Sequence, residues 1–167
     1  MKSTGEVMGI DSDFGRAYAK AQIEAGNSLP TRGTVLVSVK AEDREGACAV
    51  VRELVAMGFR ALATEGTAVA LRELGIPVEE VPKVGEGKPD VVDRIEAREV
   101  DLVINTVGSN PAAARDSASI RRSALLRQVP YFTTLAGARA AAGAIHALQL
   151  ESIGVRALQD VHATQRP

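Results

Sequence analysis

The chain has 167 residues, of which 46% are hydrophobic, 25% charged and 3% aromatic, and its net charge is −1. These totals are typical of a single globular domain with a sizeable core. They exclude a strongly basic nucleic-acid-binding surface and an aromatic platform for stacking bases. The sequence has neither a signal peptide nor an apolar run of the roughly 18 residues that mark a membrane helix. We therefore expect a cytoplasmic protein that binds neither nucleic acid nor membranes.

The first 33 residues stand apart from the rest of the chain. The segment STGEVMGIDSDF has the composition of a loop, residues 13–26 follow one amphipathic helix pattern, and NSLPTRG is typical of a linker. A lone helix before a complete sheet domain predicts that residues 1–33 connect the sheet domain to a part of the protein outside this chain.

From residue 34 onward, strand patterns alternate with helix patterns. The predicted strands are 34–39, 59–63, 78–81, 101–107 and 130–134, and the predicted helices are 43–58, 66–75, 89–99, 117–128 and 135–152. Prolines flank the third strand, which places it at a sheet edge. The alternation predicts a three-layer α/β fold, in which helices cover both faces of a five-stranded, doubly wound parallel sheet of the Rossmann-like class.

Sheets of this kind bind ligands outside the carboxyl ends of their strands, where the strand order reverses. At one such end, Thr64, Glu65, Gly66 and Thr67 join the second strand to the second helix. The N–H groups of a helix start attract anions, Thr hydroxyls add donors, and Gly lets a ligand approach the backbone closely. The loop therefore suits a phosphate group, although the same residues would also suit a plain Thr N-cap.

Further polar residues follow the other strands of the predicted sheet. They are Arg44, Lys83, Asn105, Thr106, the Gly/Ser/Asn/Ala segment 107–119, Thr133 and Thr134. Long loops in compact α/β domains are often functional. Lys83 alone would equally be a solvated surface lysine. Together these residues predict an anion pocket on one rim of the sheet, with no acidic residue beside it.

Catalytic chemistry has weaker support in the sequence. Glu79 and Glu80 are neighbours on a strand, so they face opposite sides and do not form a carboxylate pair. Asp90 and Asp93 fit favourable acids in the first turn of a helix. Cys48 lies in an apolar helix pattern and is expected to be buried. Neither histidine belongs to a cluster with metal-ligand spacing, so we expect no metal site and no cofactor in this chain.

Several motifs together resemble those of one family. STGEVMG, LVSVKAEDREG, ATEGTAVALRELGI, VPKVGEGKPDVVDRI, VINTVG and DSASIRRSALLRQVPYFTTLAGA are similar to the C-terminal end of the large subunit of glutamine-hydrolysing carbamoyl-phosphate synthase. The resemblance spans nearly the whole chain. It implies a connector from the preceding synthetase domain at 1–33, a regulatory domain of the methylglyoxal-synthase-like fold at 34–152, and a C-terminal tail at 153–167.

The resemblance implies an allosteric binding module rather than an enzyme. In that family the domain binds a nucleotide monophosphate, uridylate (UMP) or inosinate (IMP), and the parent ligase serves pyrimidine and arginine biosynthesis. The positions that match the effector-phosphate site are Arg44, Thr64, Gly66, Thr67, Lys83, Asn105, Thr106 and Ser117, and those that match an ornithine site are Tyr131 and Thr133. The implied partners are the synthetase domains, the glutaminase small subunit and, in a homo-oligomer, further copies of the chain. ATP with magnesium or manganese belongs to the parent enzyme.

The sequence departs from the family pattern in the expected effector contacts. Val107 stands where a Thr is common, Arg44 replaces a Lys, and the loop after the fourth strand is one residue longer. Methylglyoxal synthase is the alternative function, because it shares the fold and the phosphate cradle. The position of its carboxylate base aligns here with Gly87–Lys88–Pro89, which supplies no carboxylate. The cyclohydrolase domain of purine synthesis shares the fold but lacks IRRSAL and the connector.

Overall fold

The computed structural model describes residues 2–3, 6–108, 110–150, 153–155 and 157–163. The strands are β1 Lys2–Ser3, β2 Glu6–Val7, β3 Thr34–Ser38, β4 Arg60–Thr64, β5 Glu79–Val81, β6 Leu102–Asn105 and β7 Tyr131–Phe132. The helices are α1 Phe14–Glu24, α2 Arg44–Ala56, α3 Glu65–Glu73, α4 Val91–Glu96, α5 Pro111–Leu126, α6 Leu135–Leu150 and α7 Leu158–Ala163.

The five strands from β3 to β7 form one parallel sheet in the order β5-β4-β3-β6-β7. The chain runs outward from β3 to β5, then returns to place β6 on the other side of β3. The strand order therefore reverses between β3 and β6, which is where such sheets bind ligands. The predicted fold class is confirmed, and the strand flanked by prolines, β5, lies at an edge as predicted.

Helices cover both faces of this sheet. Val35 and Val37 point into a core cluster shared with α2, α3 and α6. Leu36, between them in the sequence, points into a second cluster shared with α4 and α5. This alternation of side chains is the reason why β3 is apolar along its whole length. Cys48 is buried in the first cluster, as predicted.

The N-terminal helix α1 forms an extra layer against α6. A Cβ placed on Gly15 would lie 2.7 Å from the carbonyl oxygen of Gly143, so the two helix backbones approach directly at this point. Leu29, between α1 and β3, is buried in the first core cluster. The Gln149 amide donates hydrogen bonds to the backbone oxygens of Thr31, at 2.7 Å, and Met57, at 2.9 Å. The segment before residue 34 is therefore packed against the sheet domain.

Three segments differ from their predicted structure. Helix α5 begins at Pro111 rather than at 117, because Asn110 caps the helix through Ala112 N and proline suits the first helical position. The expected long loop after β6 is correspondingly short. Strands β1 and β2 pair antiparallel within the expected N-terminal loop. Helix α7 lies in the tail, where no pattern was predicted.

Two classes of feature are absent from the described ranges. No helix there combines the length and apolar character that crossing a membrane requires. No group of three or more His, Cys, Asp or Glu side chains in the same ranges is placed to hold a metal ion.

Candidate functional site

A cleft of about 670 Å³ opens at the carboxyl ends of β3, β4, β5 and β6. It brings together all the residues that the sequence assigned to effector phosphate: Arg44, Thr64, Gly66, Thr67, Lys83, Asn105, Thr106 and Ser117. Two other surface clefts, of about 720 and 810 Å³, lie at the amino ends of the strands and between α1 and α6. In a doubly wound sheet, ligand chemistry belongs to the carboxyl rim, which is the position of the first cleft.

Threonine hydroxyls shape one wall of the cleft. Thr67 Oγ1 accepts a hydrogen bond from Val39 N at 3.4 Å, and Thr106 Oγ1 accepts one from Lys40 N at 3.2 Å. These contacts fix the backbone that leaves β3. Both hydroxyls therefore have structural partners in addition to their place on the cleft wall.

The start of α3 forms the part of the cleft best suited to an anion. Thr64 is the N-cap residue, with extended backbone angles, but its side chain makes no capping hydrogen bond. Its hydroxyl donates instead to Ser38 Oγ at 3.3 Å. The first-turn residues Glu65, Gly66 and Thr67 line the cleft. The plain Thr N-cap that the sequence also allowed is therefore not the arrangement found.

Arg44 lies directly over the start of α3. A Cβ built on Gly66 would be 2.5 Å from Arg44 Nη2 and 3.1 Å from its Cζ, so the guanidinium occupies the space that a side chain at 66 would need. Arg44 Nε is buried without a hydrogen-bond partner, and the guanidinium makes no ion pair with any residue that the structure describes. A cation beside the positive end of a helix is unfavourable unless an anion bridges the two.

Two lysines add positive charge at the mouth of the cleft. Lys83 Nζ is 4.0 Å from a Glu86 carboxylate oxygen, and both side chains are about half exposed. Lys40 Nζ is 3.9 Å from Asp43. Pairs this long and exposed leave a lysine free to turn toward a ligand. Sequence analysis missed Lys40, although its position directly after the predicted strand 34–39 is the same signal that identified the other strand-end residues.

The rim also carries carboxylates, so the expectation of an acid-free pocket is wrong. Glu42, Glu65, Glu86 and Asp116 line the same cleft. Three lysine or arginine side chains therefore face four carboxylates around the cleft. Selectivity for an anion must come from the directed donors of Arg44 and the α3 backbone rather than from a net positive field.

A family model for the MGS-like domain matches residues 46–133, slightly more than half of the chain. This chain belongs to the MGS-like domain family. The matched range contains β4 to β7 and all the predicted phosphate-site residues except Arg44, which lies two residues before it.

Relatives of this chain are similar over nearly its whole length. One is a carbamoyl phosphate synthase large chain, C-terminal section, from Methanopyrus kandleri, which is 49% identical over 97% of this chain. Another is a carbamoyl phosphate synthase large chain from Mesorhizobium japonicum, 48% identical over 98% of this chain. The chain spans 30% of the length of the first relative and 14% of the second. These relatives confirm the resemblance, drawn from the motifs, to the C-terminal end of a carbamoyl phosphate synthase large chain.

A solved structure supports the fold alone. The crystal structure of methylglyoxal synthase from Elizabethkingia anophelis matches 83% of this chain and 95% of the solved chain, with a TM-score of 0.51. Its sequence is 17% identical. This likeness agrees with the five-stranded parallel sheet described above.

The predicted phosphate residues fall into two groups across the sheet. Thr64 ends β4 and Asn105 ends β6, with β3 between them. Two strand spacings of about 4.8 Å separate these strand ends by about 10 Å. A single phosphate at the start of α3 would therefore not reach the end of β6. A longer ligand would contact both groups.

The group at the end of β6 is a buried polar network. Asn105 Nδ2 donates hydrogen bonds to Ser117 Oγ at 2.8 Å and to Tyr131 Oη at 2.7 Å. The two hydroxyl oxygens are themselves 3.2 Å apart. Tyr131 thus supports the cleft wall from β7 and does not line the cleft. Thr133 is exposed beyond the end of β7 and does not line the cleft, so the ornithine site stays a prediction.

Asp90 and Asp93 form a capping box at the start of α4, as predicted for first-turn acids. The buried Asp90 carboxylate accepts hydrogen bonds from the backbone N–H groups of Gly85, Val92 and Asp93, at 3.0, 2.9 and 3.1 Å. Asp93 accepts from Asp90 N and from Lys88 Nζ, and the lysine contact holds the pKa of Asp93 below its ordinary value. Lys88 thus neutralises a helix-capping acid.

Proposed function

We propose that this chain is the effector-binding section of a carbamoyl phosphate synthase large chain and that its cleft binds a nucleoside monophosphate. The observation that carries the proposal is the unpartnered guanidinium of Arg44 over Gly66, at the start of α3. Two positive groups face the same space: the guanidinium has no acceptor among the residues that the structure describes, and the first-turn N–H groups of a helix have no partner within the helix. A phosphate monoester placed there would satisfy both, because it offers several oxygens and up to two negative charges.

The phosphate end of the ligand would be held by three kinds of donor. The first-turn N–H groups of α3 supply directed hydrogen bonds, Arg44 supplies a planar fork, and Lys83 supplies a mobile charge. The absence of a side chain at Gly66 leaves the guanidinium and the backbone close together. The Thr64 hydroxyl, at 3.3 Å from Ser38 Oγ, makes a weak protein contact that a ligand could replace.

The rest of the cleft suits a nucleoside. Its volume of about 670 Å³ exceeds what a phosphate fills, and it lies within the range of small-molecule sites. Toward α5 the lining combines the polar Asn105 and Ser117 with the apolar Val84, Val91 and Ile120. Such a lining would contact ribose hydroxyls and one face of a base. UMP and IMP are the effectors that the resemblance implies.

At the level of the parent protein, the proposal is regulatory. Residues 1–33 would connect this domain to the preceding synthetase domain, 34–152 would be the regulatory domain, and 153–167 would be its tail. The parent ligase would use ATP with magnesium or manganese and a glutaminase small subunit, and this section would make no bond itself. By thermodynamic linkage, ligands of the synthetase domains would alter the affinity of this cleft in return.

The test is calorimetric titration of the 167-residue chain with UMP, IMP, inorganic phosphate and ornithine. Uridine and inosine serve as ligands that lack the phosphate. We expect UMP or IMP to bind much more tightly than the nucleosides, and Arg44→Gln to weaken that binding about tenfold or more, as for a charge-assisted hydrogen bond. Arg52→Gln removes an exposed arginine from the same helix and should change nothing. Equal affinities for UMP and uridine, together with equal affinities for IMP and inosine, would overturn the proposal.

A further inference from the structure

The side chain of Asn105 is held by two hydroxyl groups that come from different elements. Ser117 Oγ, on α5, and Tyr131 Oη, on β7, lie 2.8 and 2.7 Å from Asn105 Nδ2. Asn105 and Ser117 are almost fully buried, at 3% and 5% exposure. A buried amide with two short hydrogen bonds has one orientation, because losing either bond would leave a polar group without a partner.

The ring of Tyr131 is itself fixed in place. It is half-buried and packs against the second core cluster. The Arg121 guanidinium carbon lies 5.6 Å from the ring centroid, within the range of a cation–π contact. The hydroxyl of Tyr131 therefore reaches Asn105 from a rigid support behind the cleft wall.

From this geometry we propose that Tyr131 is a positioning residue for the cleft. Its hydroxyl, together with Ser117, holds Asn105 in the orientation that meets the nucleoside part of a bound monophosphate. Asn105 lines the cleft about 10 Å, two strand spacings, from the phosphate cradle at the start of α3. Tyr131 thus controls affinity for the nucleoside end without touching the ligand. The inference rests on the proposed function, since it assigns a role within that same site.

The sequence supplies a matched pair of variants, because its only tyrosines are Tyr18 and Tyr131. Tyr131→Phe removes the hydroxyl that contacts Asn105 and keeps the ring. Tyr18→Phe removes a hydroxyl on α1, beside Gln22 and away from the cleft. We expect Tyr131→Phe to weaken UMP binding about fivefold, the equivalent of one ordinary hydrogen bond, and Tyr18→Phe to leave it unchanged. Inorganic phosphate should bind wild type and both variants equally.

Two readouts separate positioning from a general structural effect. In an Asn105→Ala background, Tyr131→Phe should have no further effect on UMP affinity, because the residue through which it acts is gone. In the ligand-free chain, the side-chain amide signals of Asn105 in a nitrogen–proton correlation spectrum should move in Tyr131→Phe and stay in place in Tyr18→Phe. Ser117→Ala, which removes the second hydroxyl, should move the same signals and provides the test if Tyr131→Phe does not fold.

The outcomes distinguish this inference from the proposed function. If wild type binds UMP and Tyr131→Phe binds it equally well, or loses UMP and phosphate to the same extent, the positioning role is wrong and the effector site stands. The positioning role is also wrong if the Asn105 amide signals do not move. If wild type binds none of UMP, IMP and phosphate, the proposed function fails and the positioning role fails with it.

Discussion

Arg44 and Gly66 occupy one shared space at the start of α3: Arg44 Nη2 lies 2.5 Å from the point where a Cβ on residue 66 would sit. The absence of a side chain at 66 is thus what allows the guanidinium to lie against the helix start. Residue 66 has an ordinary helical backbone, so glycine is needed here for space and not for conformation.

Gly66→Ala should therefore weaken anion binding without lowering the stability of the fold. The new methyl group meets the end of a flexible side chain, so we expect Arg44 to move away and affinity for UMP to fall about tenfold. The free energy of unfolding should stay the same or rise by up to about 1 kcal/mol, because alanine favours helices. Gly143→Ala, at a helical glycine with no atom within 4 Å of its Cβ position, is the control. It should match the gain in stability without a loss of binding, as measured by calorimetry and thermal unfolding.

Thr64→Ala and Lys83→Ala should each weaken UMP binding without unfolding the domain. Thr64 adds a hydroxyl at the phosphate cradle, and Lys83 adds a partly exposed charge. Because exposed charges are screened by salt, the effect of Lys83→Ala should shrink when salt is raised, whereas that of Thr64→Ala should not. Lys88→Ala removes a lysine that does not line the cleft and serves as the control. Unchanged affinity in both variants would contradict the proposed pocket.

Asp90→Ala should destabilise the fold by about 1–2 kcal/mol, the usual effect of losing an N-cap residue. Its carboxylate accepts hydrogen bonds from Gly85, Val92 and Asp93, which ties the preceding loop to α4. Urea denaturation measures the change. Glu73→Ala, which removes an exposed acid at the end of α3, should have little effect. A stability loss no greater than that of Glu73→Ala would mean that the capping box contributes little.

Asp11 should make the stability of the N-terminal layer depend on pH. Its hydrogen bond with Lys20, at 2.8 Å, is the main reason why its pKa lies well below the ordinary value. Because the folded pKa is lower than the unfolded one, about 3.9, the stabilisation is complete at neutral pH and is lost as the pH falls below about 4. Asp11→Asn should therefore be less stable than wild type at pH 7, and the difference should shrink toward pH 3.

The control for this pH dependence is Glu24→Gln, which removes an exposed carboxylate from the end of α1. Urea denaturation at pH 7, 5 and 3 compares the two variants with wild type. A difference between Asp11→Asn and wild type that stays constant over this range would contradict the assigned role of the carboxylate.

The fold was predictable because its strands and helices have clear periodic patterns. The apolar run of β3 and the prolines around β5 gave the sheet and its edge. The start of α5 was misjudged because small and polar residues suggested a loop, whereas the pair Asn110 and Pro111 is itself a helix-start signal. The helix-start signal of Asn110 and Pro111 therefore outweighed the loop-like composition of the residues around them.

The candidate site was predictable as a set of residues but not as an arrangement. Strand ends identified Arg44 and Asn105, since parallel strands bring their carboxyl ends together. The sequence could not reveal that Arg44 lies over Gly66 without a partner, because that depends on the packing of α2 against α3. Nor could it reveal that Tyr131 holds Asn105, since a hydrogen bond across 26 residues depends on side-chain orientation. The acids at the rim were missed, although Glu65 directly follows a strand, because only cations, hydroxyls and amides were counted as rim residues.

The position of the cleft across the switch point has a mechanical consequence. Arg44 and Thr64 belong to the half of the chain that runs out to one sheet edge, and Asn105 and Ser117 belong to the half that runs to the other. A ligand that contacts both groups of residues would hold these two halves of the chain together. Amide hydrogen exchange should then slow at the start of α3 and around β6 by the same factor, although the two segments lie about 40 residues apart in the chain.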